Sequence, residues 1–135
     1  MTITRIKNQV FHKRYQEFQK RFPQQPLFPH QRWQLDETTF MTGEEYPQFT
    51  SIRPKIQERA TEYIYVMTGQ MKVKDIQLQR DFLLLPQQGL KITPHAFFMQ
   101  KFAPHTRIIR IDIPSIEPTR VYSPLPELSQ WLTQW

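Results

Sequence analysis

Residues 61–74 read Thr-Glu-Tyr-Ile-Tyr-Val-Met-Thr-Gly-Gln-Met-Lys-Val-Lys. Branched and aromatic side chains alternate on both sides of Thr68-Gly69-Gln70. That pattern predicts two strands, Glu62–Met67 and Met71–Lys74, joined by a hairpin turn at Gly69. The same period of two continues outward. Runs at Arg32–Phe40, Gln48–Arg53, Ile76–Gln79, Phe82–Leu85, Leu90–Thr93, Ala96–Phe102 and Arg107–Ile113 are punctuated by Pro47, Pro54, Gly89, Pro94 and Pro104. About nine short strands without an intervening helical pattern predict an all-β sandwich or barrel over residues 32–116.

The flanks differ. Ile3, Ile6, Val10, Phe11, Tyr15, Phe18 and Phe22 recur every three or four residues, which predicts an amphipathic helix over 4–22 that ends at Phe22-Pro23. Residues 23–31 hold three prolines and continue as an extended arm, so 1–31 form a unit outside the barrel. Residues 117–135 form a C-terminal extension. Leu125, Leu128, Trp131 or Leu132, and Trp135 share one face of a short helix there, with Pro124 or Pro126 in its first turn.

The net charge of +6 belongs to the first 35 residues, where seven Lys or Arg face only Glu17. Lys13-Arg14 and Lys20-Arg21 recur one heptad apart and predict a basic face opposite the aromatic stripe. Such a face attracts nucleic acid or an acidic partner, or is simply solvated. Specific single-strand binding needs aromatics beside the bases, and here the two are read on opposite faces, which favours docking of the stripe on the barrel.

Glu62 followed by Gly69 at a turn resembles the end of the first conserved motif of the cupin superfamily. Asp81-Phe-Leu-Leu-Leu-Pro86 resembles the start of the second, with Arg80 in place of the usual glycine. The resemblance covers about residues 45–113 and implies a double-sheet jelly roll with a cavity between its sheets. It also implies that Glu62 faces inward, and Ile64 and Val66 then follow by alternation, while Tyr63, Tyr65 and Met67 face out. An outer face this bulky calls for a cover, either the N-terminal helix or a second subunit.

The family's metal chemistry does not transfer. The histidine pair expected before Glu62 falls in Lys55–Thr61, which contains none, and the position of the third histidine is Lys91. His95 follows Pro94 four residues late. Glu62 and His95 alone make no secure metal site, so no metal and no cofactor is expected. The chain has no cysteine, Walker loop or dinucleotide fingerprint, and no Gly-x-Ser-x-Gly elbow. It also lacks an apolar run long enough to span a membrane.

These features predict a cytoplasmic, metal-free cupin-like domain that binds a small molecule or a protein partner in a regulatory, non-catalytic role. Its cavity would be lined by Glu62, Ile64, Val66, Lys91 and His95. It is similar in this respect to the sensor half of arabinose-type regulators. Two alternatives stand beside that reading. One is a nucleic-acid-binding accessory protein acting through Lys13, Arg14, Lys20 and Arg21. The other is a sugar isomerase or epimerase with His95 as its base. Tyr63, Tyr65, Trp131 and Trp135 further predict a homodimer.

Overall fold

The computed structural model describes residues 2–114, 119–123 and 126–135. Two antiparallel sheets face each other. The six-stranded sheet has the order β1-β8-β5-β10-β3-β2, and the five-stranded sheet β11-β4-β9-β6-β7. In the first are β1 (Ile3–Ile6), β2 (Gln31–Gln34), β3 (Phe40–Tyr46), β5 (Thr61–Thr68), β8 (Gly89–Ile92) and β10 (Thr106–Ile113). In the second are β4 (Thr50–Gln57), β6 (Met71–Asp75), β7 (Arg80–Leu84), β9 (Phe97–Phe102) and β11 (Thr119–Val121). Two helices, α1 (Asn8–Arg21) and α2 (Pro126–Thr133), accompany the sheets. Among the described residues, no helix is long and apolar enough to cross a membrane.

The turn at Gly69 is where the fold is decided, but it does not close a paired hairpin. β5 bonds to β8 and β10, whereas β6 bonds to β7 and β9 in the other sheet. Thr68-Gly69-Gln70 is therefore a corner between sheets. Gly69 has φ +80°, and a Cβ there would lie 2.3 Å from the Thr106 hydroxyl. That hydroxyl accepts the Gln70 N–H at 3.1 Å and donates to the Ala103 carbonyl at 2.7 Å. One buried threonine thus pins two corners of the jelly roll.

The sequence and the structure differ further: β11, from the stretch read as a C-terminal extension, adds a strand beside β4. The helix begins at Asn8, because residues 3–6 pair with the edge of β8 and bury Ile3 between the sheets. β2 and β3 are separate strands, since the Asp36 carboxylate accepts the Thr38 N–H at 2.9 Å and folds 35–39 into a turn. Residues 76–79 close β6 onto β7 instead of forming a strand of their own. β4 runs through Pro54 to Gln57 and meets β9 with a register shift between Ile52 and Lys55, which accommodates a residue without an N–H donor. α2 starts at Pro126 as its first residue; Pro124 and Leu125 lie outside the described residues.

Apolar side chains fill two layers. Ile64, Val66, Leu90, Ile92 and Ile108 meet Met71, Val73, Leu84, Phe98 and Phe102 between the sheets. On the outer face of the six-stranded sheet, Phe11 and Phe18 of α1 pack with Leu27, Leu35, Met41, Tyr65, Ile109 and Ile111. Phe11 stacks on Tyr65 with ring centroids 3.8 Å apart and planes within 9°. The cover for Tyr65 is thus the chain's own helix. Trp131 and Trp135 also lie against the chain itself, on lysine side chains of the five-stranded sheet.

Phe11→Ala removes both the stack and the ring that fills the helix–sheet layer. It is expected to cost about 3–5 kcal/mol, to be read as a lowered urea midpoint.

Candidate functional site

β10 carries Arg-Ile-Ile-Arg-Ile-Asp-Ile over residues 107–113. Ile109 and Ile111 point outward beneath α1, so alternation turns Arg110 and Asp112 into the barrel beside Ile108. β3 behaves in the same way: Met41 faces α1, and Glu44 and Tyr46 face inward. β5 contributes Glu62, which is fully buried. The facing sheet contributes Lys55 and Gln57 from β4 and Gln100 from β9.

The guanidinium of Arg110 organises these groups. Its Nη1 donates to Glu62 Oε2 at 2.6 Å, its Nε to Glu44 Oε2 at 2.6 Å, and its Nη2 to Gln100 Oε1 at 3.1 Å and Glu44 Oε1 at 3.3 Å. Lys55 Nζ lies 3.2 Å from Glu62 Oε1 and forms an ion pair across the two sheets. Tyr46 donates its hydroxyl hydrogen to Glu44 and stacks on Phe102 at 4.0 Å. Asp112 approaches Arg32 at 3.8 Å and is the register partner of Glu62.

The electrostatics follow from burial and neighbours. Burial pushes the Glu44 carboxyl up, but the charge and hydrogen bonds of Arg110 outweigh it and hold the group at about 2. Burial likewise opposes ionisation of Glu62, and the charges of Lys55 and Arg110 bring it below its ordinary value. Asp112 is different. Burial and the nearby Glu62 charge together raise it to about 6. Burial and Glu44 push the Tyr46 phenol well up, so it remains a hydrogen-bond donor.

The positions singled out from sequence are only partly brought together. Glu62, Ile64 and Val66 all face the interior. Lys91 does not. It is the register partner of the outward-facing Tyr63, and its ammonium lies 6.0 Å from that ring. His95 is exposed in the β8–β9 turn at φ +70°, with its main-chain N–H bonded to the Gln57 carbonyl at 2.7 Å. The turn is thereby held next to Gln57, while the imidazole is at the surface. The four bases of α1 also separate. Arg14 pairs with Glu17 at 3.1 Å and approaches Asp36 at 3.9 Å, and Arg21 donates to the Leu35 carbonyl, so both flank the docked stripe. Lys13 and Lys20 are exposed.

Five residues that complete the cluster were not anticipated: Glu44, Lys55, Gln100, Arg110 and Asp112. The signal for Arg110 and Asp112 is the alternation of 109–113, where the two polar residues and the isoleucines occupy opposite faces. A one-helix cover on the outside reverses the usual assignment of those faces.

This is a two-sheet jelly roll with one apolar and one ionic half to its interior. Solved structures similar to it include KdgF from Halomonas sp. (16% identity, TM-score 0.56, covering 65% of this chain and 79% of that one). The polyketide cyclase RemF from Streptomyces resistomycificus is similar at 16% identity and TM-score 0.56, over 73% of this chain and 70% of that one. An 11S globulin from Wrightia tinctoria, described with an auxin binding site, aligns at 16% identity and TM-score 0.51, over 62% of this chain but 22% of its own length. The chain has the cupin fold. No protein-family model matches it, and no curated relative does.

The metal associated with that fold does not suit this interior. Among the described residues no three His, Asp or Glu side chains group as a metal site. Glu62 already faces a guanidinium at 2.6 Å and an ammonium at 3.2 Å, so a divalent cation placed there would meet two positive charges.

Arg110→Met leaves Glu44 without its cation and Glu62 with Lys55 alone, and is expected to destabilise by about 3–5 kcal/mol, whereas Arg110→Met combined with Glu44→Leu, Glu62→Leu and Lys55→Met should recover most of that loss. Chemical unfolding of the two variants checks this. Asp112 binds its proton more tightly in the folded chain, so its contribution is fully present below about pH 4 and is lost as the pH rises through about 6. Asp112→Asn should therefore be more stable than wild type at pH 7.5, by about 1–3 kcal/mol, with the difference vanishing below about pH 4. Unfolding curves across that range provide the measurement.

Proposed function

We propose that the protein is a metal-free binding domain of the cupin fold, regulatory and non-catalytic, which takes a small polar molecule at the ionic end of its barrel. The observation that carries this reading is a set of buried polar atoms without hydrogen-bond partners. Among the described residues Thr42 Oγ1, Gln57 Oε1, Gln100 Nε2 and Asp112 Oδ1 are of this kind, and they belong to residues in or beside one ionic cluster. Glu62 Oε1 already has the Lys55 ammonium as its partner at 3.2 Å. Buried polar groups are ordinarily paired, and each one left unpaired costs about 1–3 kcal/mol. A ligand carrying hydroxyl or amino donors as well as an acceptor would satisfy this set.

The position of His95 at the surface gives a base no buried partner in this cluster, which favours binding over isomerisation. The docking of α1 likewise favours a structural role for the basic helix, with Arg14 and Arg21 turned toward the β2–β3 turn.

A thermal-shift screen of small polyols, amines and amino alcohols tests the reading. At least one is expected to raise the melting temperature of the wild type and to leave Gln57→Leu/Gln100→Leu unmoved. Equal shifts in both proteins, or no shift by any member at millimolar concentration, would overturn it.

A further inference from the structure

Three elements meet on the outer face of the six-stranded sheet beside α1. Tyr65 and Met67, two residues apart on β5, share that face. Phe11, His12 and Tyr15 reach it from α1 at the three- and four-residue spacing of one helix face. The third element is the turn between β7 and β8. It is bonded to β5 at Val66, whose carbonyl accepts the Gln87 N–H at 2.8 Å and whose N–H donates to the Gln88 carbonyl at 3.0 Å. Gln87 is thereby held beside Tyr65 and Met67. Together these six residues line a groove of about 200 Å³.

The lining contains no carboxylate, lysine or arginine. Its walls are largely aromatic. Phe11 stacks on Tyr65, and the His12 ring meets Tyr65 edge-on, with centroids 6.2 Å apart and planes at 68°. Four of the lining side chains, His12, Tyr15, Tyr65 and Gln87, carry hydrogen-bonding groups. The Gln88 side chain closes its own turn by accepting the Leu85 N–H at 3.0 Å, which leaves Gln87 as the amide of this turn that faces the groove. Tyr65 is the most telling of the four. It is only 3% exposed, and its phenol is pushed up by burial alone, with no hydrogen bond or charge acting on it. A buried hydroxyl without a protein partner is uncommon, and this residue borders a cavity.

We propose that this groove binds a small, uncharged, planar aromatic molecule carrying a hydroxyl group, with its ring among Phe11, Tyr65 and Met67 and its hydroxyl bonded to Tyr65 and Gln87. Aromatic edges and a thioether both favour an aromatic guest. A hydroxyl donates and accepts, so it can serve a phenol and an amide together. A charged ligand would lose hydration here without meeting a carboxylate, lysine or arginine in return. The groove is smaller than sites for drug-sized ligands, which are about 300–1,000 Å³, and suits one ring or a fused pair. It lies outside the barrel and does not depend on the reading of the interior.

The test uses the full chain with 2-naphthol and with decahydro-2-naphthol, which keeps the hydroxyl but loses the planar ring. Binding is followed by NMR of the methionine methyl signals. Met67 reports on the groove, and Met71, fully buried between the sheets, reports on the interior. Naphthol is expected to move the Met67 signal and leave Met71 in place. The decahydro compound should bind about fivefold more weakly. Gln87→Gly suits the φ of +70° at that position and retains the main-chain bond to Val66. Tyr65→Phe retains a ring for Phe11 to stack on. Each variant should weaken naphthol by about three- to tenfold. Unchanged affinity in both variants, equal affinity for the two probes, or movement of Met71 in place of Met67 would overturn the proposal. So would the absence of any shift at millimolar naphthol.

Discussion

The guanidinium of Arg110 is held by side chains from three other strands, Glu44 on β3, Glu62 on β5 and Gln100 on β9. Because β9 lies in the opposite sheet, this one group ties the two halves of the jelly roll together through the interior. A planar fork with five N–H donors can bond all three acceptors at once, and a lysine at the same place cannot. Without Arg110, two carboxylates would remain in a region with little water. Its removal therefore differs from the removal of any one apolar residue, since it leaves unpaid charge behind rather than empty space.

The location of that cluster depends on α1. A strand such as 109–113, with polar residues on one face and isoleucines on the other, ordinarily turns its isoleucines toward the core between the sheets. Here Ile109 and Ile111 are buried on the outside, because Phe11 and Phe18 cover them, and the polar face is directed inward. The amphipathic helix thus determines how much of the barrel interior is polar. Its aromatic stripe was plain in the sequence, and the inward direction of Glu62 was what the cupin resemblance implied. The partners of Glu62 were not legible, since they come from strands distant in sequence and their side chains lie on faces that a strand pattern alone assigns to solvent.

Local chemistry explains where the sequence was legible and where it was not. Prolines and Gly69 marked the strand ends well, because they restrict the backbone wherever they occur. The sheet to which each strand belongs is a tertiary property, so Gly69 read as a hairpin although it turns a corner between sheets. Residues 3–6 have the spacing of a helix, but they meet an edge of β8 that would otherwise lack partners, and pairing there outweighs the local preference. Lys91 was placed inside by its distance from a proline in a motif. Its neighbour Tyr63 shows that it belongs on the outer face.

The strand order also bears on how the chain comes together. Among the described residues, only β2–β3 and β6–β7 are neighbours both in sequence and in a sheet; every other pairing joins segments far apart in the chain. β1 has no partner until residues 89–92 exist, and the surface under α1 is incomplete until β10 has been added. During synthesis on the ribosome, the helix therefore emerges with Phe11 and Phe18 long before the sheet that will cover them. Non-local topologies of this type fold slowly, and their nascent apolar segments are open to capture by chaperones or by one another. The sharp solubilising charge of the first 35 residues is then placed where it counts most, on the segment that must wait longest for its neighbours.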